Sequence, residues 1–315
     1  MSKKPAVLLY PNSNNLGDFI QSLAAKQFLN NSTVIELDRD KLNKYRGEKV
    51  ALIMNGWFME NSENWPPSEK INPLFISFHL NPTAIKGMLS DKGIAYFKKH
   101  QPIGCRDYYT RNLLSRLGIE TYYSACLTLS LKRQDYISED TKREGIHVIS
   151  TFERLNPKND SIQKAFFMRI IQKIKKPNKF KQYKAALKRL ESFLEKQNDK
   201  VYWSSQLLEV KNYNQQERFD RATLQLKNIA TARLVITSRI HTALPAVAFG
   251  TPVLFLSDGL NHINHRSRFD GMEYFFPILR SKDLGNLEPE FLEPDKLHLP
   301  YVKRFENKIR QFLKE

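Results

Sequence analysis

Residues 233–256 read RLVITSRIHTALPAVAFGTPVLFL. Leu234 to Thr237 is a short apolar run suited to a parallel strand covered on both faces, and Thr242 to Phe249 is an alanine-rich helix closed by Gly250. Pro252 restarts the chain as a strand. Ser238, Arg239, Ile240 and His241 therefore fall where strand passes into helix. In an open α/β sheet that carboxyl end is where ligands bind, and the free N–H groups opening the helix favour an anion. Arg239 adds a permanent fork-shaped cation, and His241 a group able to move a proton near neutral pH. A buried arginine–carboxylate pair beside a core histidine is the plainer reading of the same residues.

Outward from this stretch, the chain alternates strand and helix signals. Ala6–Tyr10, Thr33–Leu37, Val50–Asn55, Leu74–Phe78 and Ile103–Arg106 read as strands, with helices at Gly17–Leu29 and Tyr108–Leu117 and an extended run near Thr121–Leu131. A polar stretch from Lys132 to Glu144 reads as a linker. Beyond it come a strand at Gly145–Ser150, a basic helical region that Pro177 should break or kink, a strand at Val201–Ser204 and a helix at Arg221–Ala232. The periodic segment Val302–Leu313 is expected to cross back onto the first half. Such alternation predicts parallel sheets flanked by helices, and 315 residues suit two α/β domains, 1–135 and 144–300, with a closing helix in 301–315.

Apolar residues make up 41% of the chain, enough for substantial cores. The apolar run after the basic start spans only Ala6–Tyr10, and no segment approaches the ~20 residues of a membrane span, so a cytoplasmic protein is expected. The two cysteines, Cys105 and Cys126, lie in apolar stretches and read as packing residues. A net charge of +17 points to an anionic partner or substrate. Cations concentrate between Lys164 and Arg189, interleaved with Phe166, Phe167, Ile170, Ile171, Ile174 and Phe180. That pattern suits either a solvated helix with an ordinary core stripe or a surface that lies on an anionic membrane, at the inner face of the cell membrane. Nothing in the chain carries a nucleic-acid-binding signature, so nucleic acid is not expected as a partner.

Three other strand ends carry candidate chemistry. Pro11 to Asp18, PNSNNLGD, joins the first strand to the first helix; Asn15 and Gly17 let backbone amides face a ligand, and Asp18 suits a base or a helix-stabilising carboxylate. Asn55-Gly56-Trp57-Phe58 offers an amide and an aromatic platform for a sugar ring, or a lid on the core. Gly104-Cys105-Arg106-Asp107 ends another strand in an arginine, which binds phosphate or pairs locally with Asp107. His79 follows Leu74–Phe78, and Asn261 to Arg268, NHINHRSR, reads as a basic loop touching an anionic substrate. His262 and His265 lack the companion ligands a divalent site needs, so no metal is expected.

Taken together, Asn15-Leu16-Gly17-Asp18, Gly104-Cys105-Arg106-Asp107 with Thr110 and Leu113-Leu114, Gly118-Ile119 leading to Ser124-Ala125-Cys126-Leu127-Thr128-Leu129, and Ser238-Arg239-Ile240-His241 with Ala248-Phe249-Gly250-Thr251-Pro252-Val253 resemble the polysaccharide pyruvyl transferase family. The resemblance implies two Rossmann-like domains facing across a cleft, as in GT-B glycosyltransferases. It implies transfer of the pyruvyl group of phosphoenolpyruvate onto two hydroxyls of a sugar, in a cell-surface polysaccharide or its lipid-linked precursor, as a cyclic ketal. Arg106 and Arg239 match the arginines that hold the anionic donor, beside Ser238 and Ile240, and His241 matches the histidine proposed as general acid. Asp18 is then expected as base, and Asn15, Gly17, Asn55, Trp57, His79 and Arg268 on the acceptor side. The scheme calls for no cofactor, phosphoenolpyruvate being a co-substrate. Two rival readings share the residues: a GT-B glycosyltransferase using a nucleotide sugar, and a basic scaffold without activity.

Overall fold

The computed structural model describes residues 4–29, 34–157, 166–287 and 295–314. The first half runs β1 (Lys4–Leu9), α1 (Leu16–Lys26), β2 (Ile35–Asp38), β3 (Val50–Phe58), β4 (Ile71–Leu80), α2 (Ile85–Met88), α3 (Asp91–Lys99), β5 (Ile103–Cys105), α4 (Tyr108–Ser115) and β6 (Thr121–Tyr123). The second runs β7 (Ile146–Ile149), α5 (Phe166–Glu195), β8 (Val201–Ser204), α6 (Gln215–Thr231), β9 (Leu234–Thr237), α7 (Ile240–Ala248), β10 (Val253–Leu256), α8 (Ile263–Phe269), β11 (Ile278–Leu279) and α9 (Leu299–Lys314). Among the described residues no helix is long and apolar enough to cross a membrane.

Two wholly parallel sheets result, one ordered β2-β1-β3-β4-β5-β6 and the other β11-β10-β9-β7-β8. The strands are near-continuous apolar runs because helices cover both faces, and β9 and β10 are buried at every residue. The strand order reverses between β1 and β3 in the first sheet and between β7 and β9 in the second. At such a switch point neighbouring connections depart to opposite faces and leave a crevice at the carboxyl ends.

The cores of the two halves merge. Val7, Phe19, Ile53 and Ile76 share one apolar cluster with Phe219, Val235, Ile240 and Val253. Phe19 of α1 meets Phe219 of α6 edge to face, ring centroids 5.2 Å apart. Helix α9 packs against β3, β4 and the turn Leu127–Ser130 of the first half, with Tyr301 edge-on to Tyr123.

Four local expectations are corrected. Helix α5 runs unbroken through Pro177; the turn around it is exposed, so water can solvate the carbonyl that proline leaves unpaired. Residues 55–57 lie inside β3 rather than after it, because Gly56, at φ 104°, absorbs a register shift between Met54 and Gly56. His79 likewise lies within β4. The loop at Asn261–Arg268 folds into α8, capped by His262, whose Nδ1 accepts from Asn264 N at 3.2 Å. Thr33 and Lys164 lie outside the described residues, as do the side chains of Phe166 and Phe167.

Phe305 of α9 is 1% exposed within the merged core. Phe305→Ala should cost about 3–5 kcal/mol in urea unfolding; a loss under about 1 kcal/mol would show that α9 does not belong to the cooperative unit.

Candidate functional site

The N-termini of α1 and α7 meet at Gly17. A Cβ there would lie 2.5 Å from Gln206 Nε2 and 2.9 Å from His241 Nδ1, closer than side chains pack, so either Gln206 and His241 shift or the residue is glycine. Asn15 caps α1, its Oδ1 accepting from Gly17 N at 3.1 Å and from Gln206 Nε2 at 2.6 Å. Gln206, on the connection after β8, ties the halves together. Its carbonyl accepts from Leu16 N at 2.9 Å, its amide N donates to Ser150 Oγ at 2.6 Å, and its Oε1 accepts from Thr242 Oγ1 at 2.6 Å. Loop, strap and both helices thus form one hydrogen-bonded assembly.

Positive charge converges beneath it. Arg106, fully buried, leaves the end of β5 with Nη1 3.3 Å from Gln21 Oε1 and 3.4 Å from His241 Nε2. The carboxylate beside it, Asp107, sits 3.8 Å from Arg106 Nε and is already committed: it accepts from Thr110 N at 2.8 Å and lies 2.6 Å from His79 Nδ1. Arg106 Nε and Nη2, His79 Nε2 and Arg268 Nε are all shielded from water without a hydrogen-bond partner. The three guanidinium nitrogens are unmet buried donors, which is costly, while His79 Nε2, in a neutral ring whose Nδ1–H faces Asp107, is an acceptor. Arg239 differs, since it pairs with Glu153, whose Oε1 accepts from Ser150 and Ser205 hydroxyls at 2.7 and 2.6 Å.

The imidazoles respond to this field. Burial, then the charge of Arg106, holds His241 well below its ordinary value of 6.5. Burial takes His79 down to about 4 in spite of Asp107, and burial with Arg154 takes His265 to about 3. Arg268 is lowered to about 9 by burial and by Arg106. Asp107 is pushed up by burial, but His79 and Arg106 outweigh this and hold it below the usual carboxylate range. The site therefore holds neutral histidines among guanidiniums.

Two connected pockets open at the switch points. A narrow inner one of about 40 Å³ is lined by Asn15, Gln206, Arg239, Ile240, His241 and Arg268, with Ser238 and Glu153 at its wall. Ser238 itself is engaged, donating to Leu256 O at 2.6 Å. A wider one of about 400 Å³ adds Asp18, Arg39, Asp40 and Trp57 and shares Asn15, Arg154, Arg239 and Arg268. Asp18 accepts from Ser13 Oγ at 2.5 Å and from Gln21 Nε2 at 3.2 Å. Trp57 stacks under the Arg39 guanidinium, 4.6 Å from ring centroid to Cζ. The structure thus gathers Asn15, Gly17, Asp18, Arg106, Arg239, His241 and Arg268, with Trp57 on the outer rim. Gly17, Arg106, Asn55 and His79 line neither pocket: Gly17 and Arg106 lie against His241, which does, while Asn55 Nδ2 donates to Gln21 O at 2.9 Å and His79 lies against Asp107. Sequence reasoning missed Glu153, Gln206 and Gln21; Glu153 follows a strand end as Arg239 does, while a lone glutamine carries no such signal. Among the described residues no group of three histidines, cysteines or acids is placed to hold a metal ion.

His79, His241 and His265 each titrate lower in the folded chain than the 6.5 of an unfolded imidazole. Between those values the unfolded chain binds more protons, so stability is complete above about pH 6.5 and drains as the pH falls toward 4. Calorimetry should show Tm falling from pH 7.5 to 5, less steeply in His79→Asn; a pH-independent Tm would contradict the buried, neutral imidazoles.

In the search of solved structures, a functionally uncharacterised protein from Klebsiella pneumoniae aligns over 88% of this chain and 93% of its own, at 14% identity and a TM-score of 0.47. No curated protein matches the chain. The sequence model of the polysaccharide pyruvyl transferases matches residues 15–259, from the cap of α1 to the loop after β10, and the chain belongs to that family.

Proposed function

We propose that the protein moves the pyruvyl group of phosphoenolpyruvate onto two hydroxyls of a saccharide, forming a cyclic ketal and releasing phosphate. The observation that carries this reading is the fully buried Arg106, two of whose nitrogens make no hydrogen bond, 3.4 Å from His241. Family membership supports a transferase acting in polysaccharide synthesis. In this reading residues 1–135 and 144–300 are two Rossmann-like domains facing across a cleft, in the manner of GT-B enzymes. The repeated strand order, and pockets lined from both halves, support that arrangement.

Phosphoenolpyruvate presents a carboxylate and a phosphate close together. Arg106, Arg239 and Arg268, with the opening turn of α7, offer enough donors to neutralise both. Arg268, expected on the acceptor side, therefore joins the donor group, and His79 braces Asp107 beside Arg106. The chemistry needs a proton on the methylene carbon before or as a sugar hydroxyl attacks the enol carbon. Burial first, and then neighbouring cations, hold the His241 imidazole neutral; an anion that offsets the cations makes the ring more basic, so donor binding would favour loading His241 with the proton it then delivers. Asp18, which lines the wider pocket, takes the proton of the attacking hydroxyl. The carbon–oxygen bond to phosphate then breaks, and the second hydroxyl closes the ring on the same carbon, losing its own proton. Trp57 and the Asn12–Asn15 loop, around the wider pocket, suit the acceptor sugar.

Thermal shift with phosphoenolpyruvate against a panel of nucleotide sugars tests the donor; stabilisation by nucleotide sugars alone would replace this reading with glycosyl transfer. Arg106→Ala should weaken phosphoenolpyruvate binding at least about 100-fold, the equivalent of losing a buried charged contact. His241→Asn should keep binding and lose about 100- to 10,000-fold in turnover. Calorimetric titration in buffers of different ionisation enthalpy should show proton uptake on donor binding by the parent protein and much less by His241→Asn. Equal uptake in both would remove His241 from the acid role.

A further inference from the structure

Helix α5 carries a second feature, remote from the pockets. From Arg169 to Arg189 it holds nine lysines and arginines and no acid. Its C-terminal part is ordinary core: Ala186, Leu190, Phe193 and Leu194 are buried with Leu284 of the segment Ser281–Asn286. Its N-terminal part is not. Ile170 is 41% exposed, Ile174 72% and Phe180 41%. At about 100° per residue, Ile170, Ile171 and Ile174 share one side of the helix, centred roughly 145° away from the buried stripe. The apolar side thus changes across Pro177, and the exposed isoleucines do not continue the core face. Lys173, Lys175 and Lys176 flank them, all exposed.

We infer that the N-terminal part of α5 is a docking surface for an anionic lipid bilayer. The lysines meet the headgroups, and Ile170 and Ile174 enter the boundary between headgroup and acyl chain. The charge would suit any polyanion, but the isoleucines decide between partners. A hydrated acidic polymer offers them no apolar phase, whereas a bilayer interface does. Docking there holds the protein at the surface on which any lipid-carried saccharide is presented. The inference stands apart from the donor assignment and can fail without it.

The test is co-sedimentation of the full chain with vesicles of phosphatidylcholine alone or of equal parts phosphatidylcholine and phosphatidylglycerol. Binding is expected only to the anionic vesicles, weakening as salt rises. The double variant Ile170→Ser, Ile174→Ser should bind about tenfold less tightly at unchanged Tm; should it unfold, Ile174→Ser alone, at the most exposed position, serves in its place. Lys173→Gln with Lys175→Gln and Lys176→Gln should reduce binding and its salt dependence together. No preference for anionic vesicles, or serine variants that bind as the parent does, would overturn the inference. A soluble acidic polysaccharide that competes fully while the serine variants bind normally would reassign the surface to a polymer.

Discussion

The close approach of α1 and α7 at Gly17 is the constraint on which the site depends. With a side chain there, Gln206 and His241 would both be displaced. The cap of α1, the strap after β8 and the first turn of α7 would then lose their common register. Because the two helices belong to different sheets, this contact also brings the two switch points together. Asp18 of the first half and Arg239 of the second come to line one pocket as a result. The merged apolar core supplies the stiffness behind that contact, since interiors at native density transmit displacement rather than absorb it.

The electrostatics follow from the same convergence. Arg106, Arg239, Arg268 and Arg154 press on one another, as the depressed values of Arg268 and the histidines record. Among the carboxylates at the site, Asp107 is engaged with His79 and Arg106, and Glu153 with Arg239. Positive charge gathered around the buried Arg106 is a cost to the fold, tolerable because the core is large and the charges sit at helix and strand ends. An anion of two or more charges would turn that cost into binding energy. The neutral state of His241 belongs to the same balance, and it makes the histidine responsive to whatever fills the pocket.

Much of this was legible in the sequence where chemistry and chain direction coincide. Leu234–Thr237, Ser238 to His241 and Val253 onward read directly as strand, turn, helix and strand, because apolar run length, an alanine-rich segment and the Gly-Thr-Pro stop are local signals. Arg106 and Arg239 were found for the same reason, each closing a strand. His79 and Asn55 were misplaced by a few residues: β4 and β3 run on past their most apolar stretch, which turns both side chains into the fold and away from the pockets. Pro177 was misjudged because its cost depends on whether water can reach the freed carbonyl, and that is a property of the surface.

By itself the sequence determined the alternation that makes parallel sheets, the strand ends that carry charge, and the membership of a transferase family, all of which are written in short-range pattern. Only the tertiary structure decided which charges meet. Arg239 found Glu153, Arg106 came beside His241 with two nitrogens that make no hydrogen bond, and Arg268 moved inward on α8, because these residues are separated by tens to more than a hundred positions along the chain. Pairing at such distances is set by sheet order and helix packing, which no local pattern encodes.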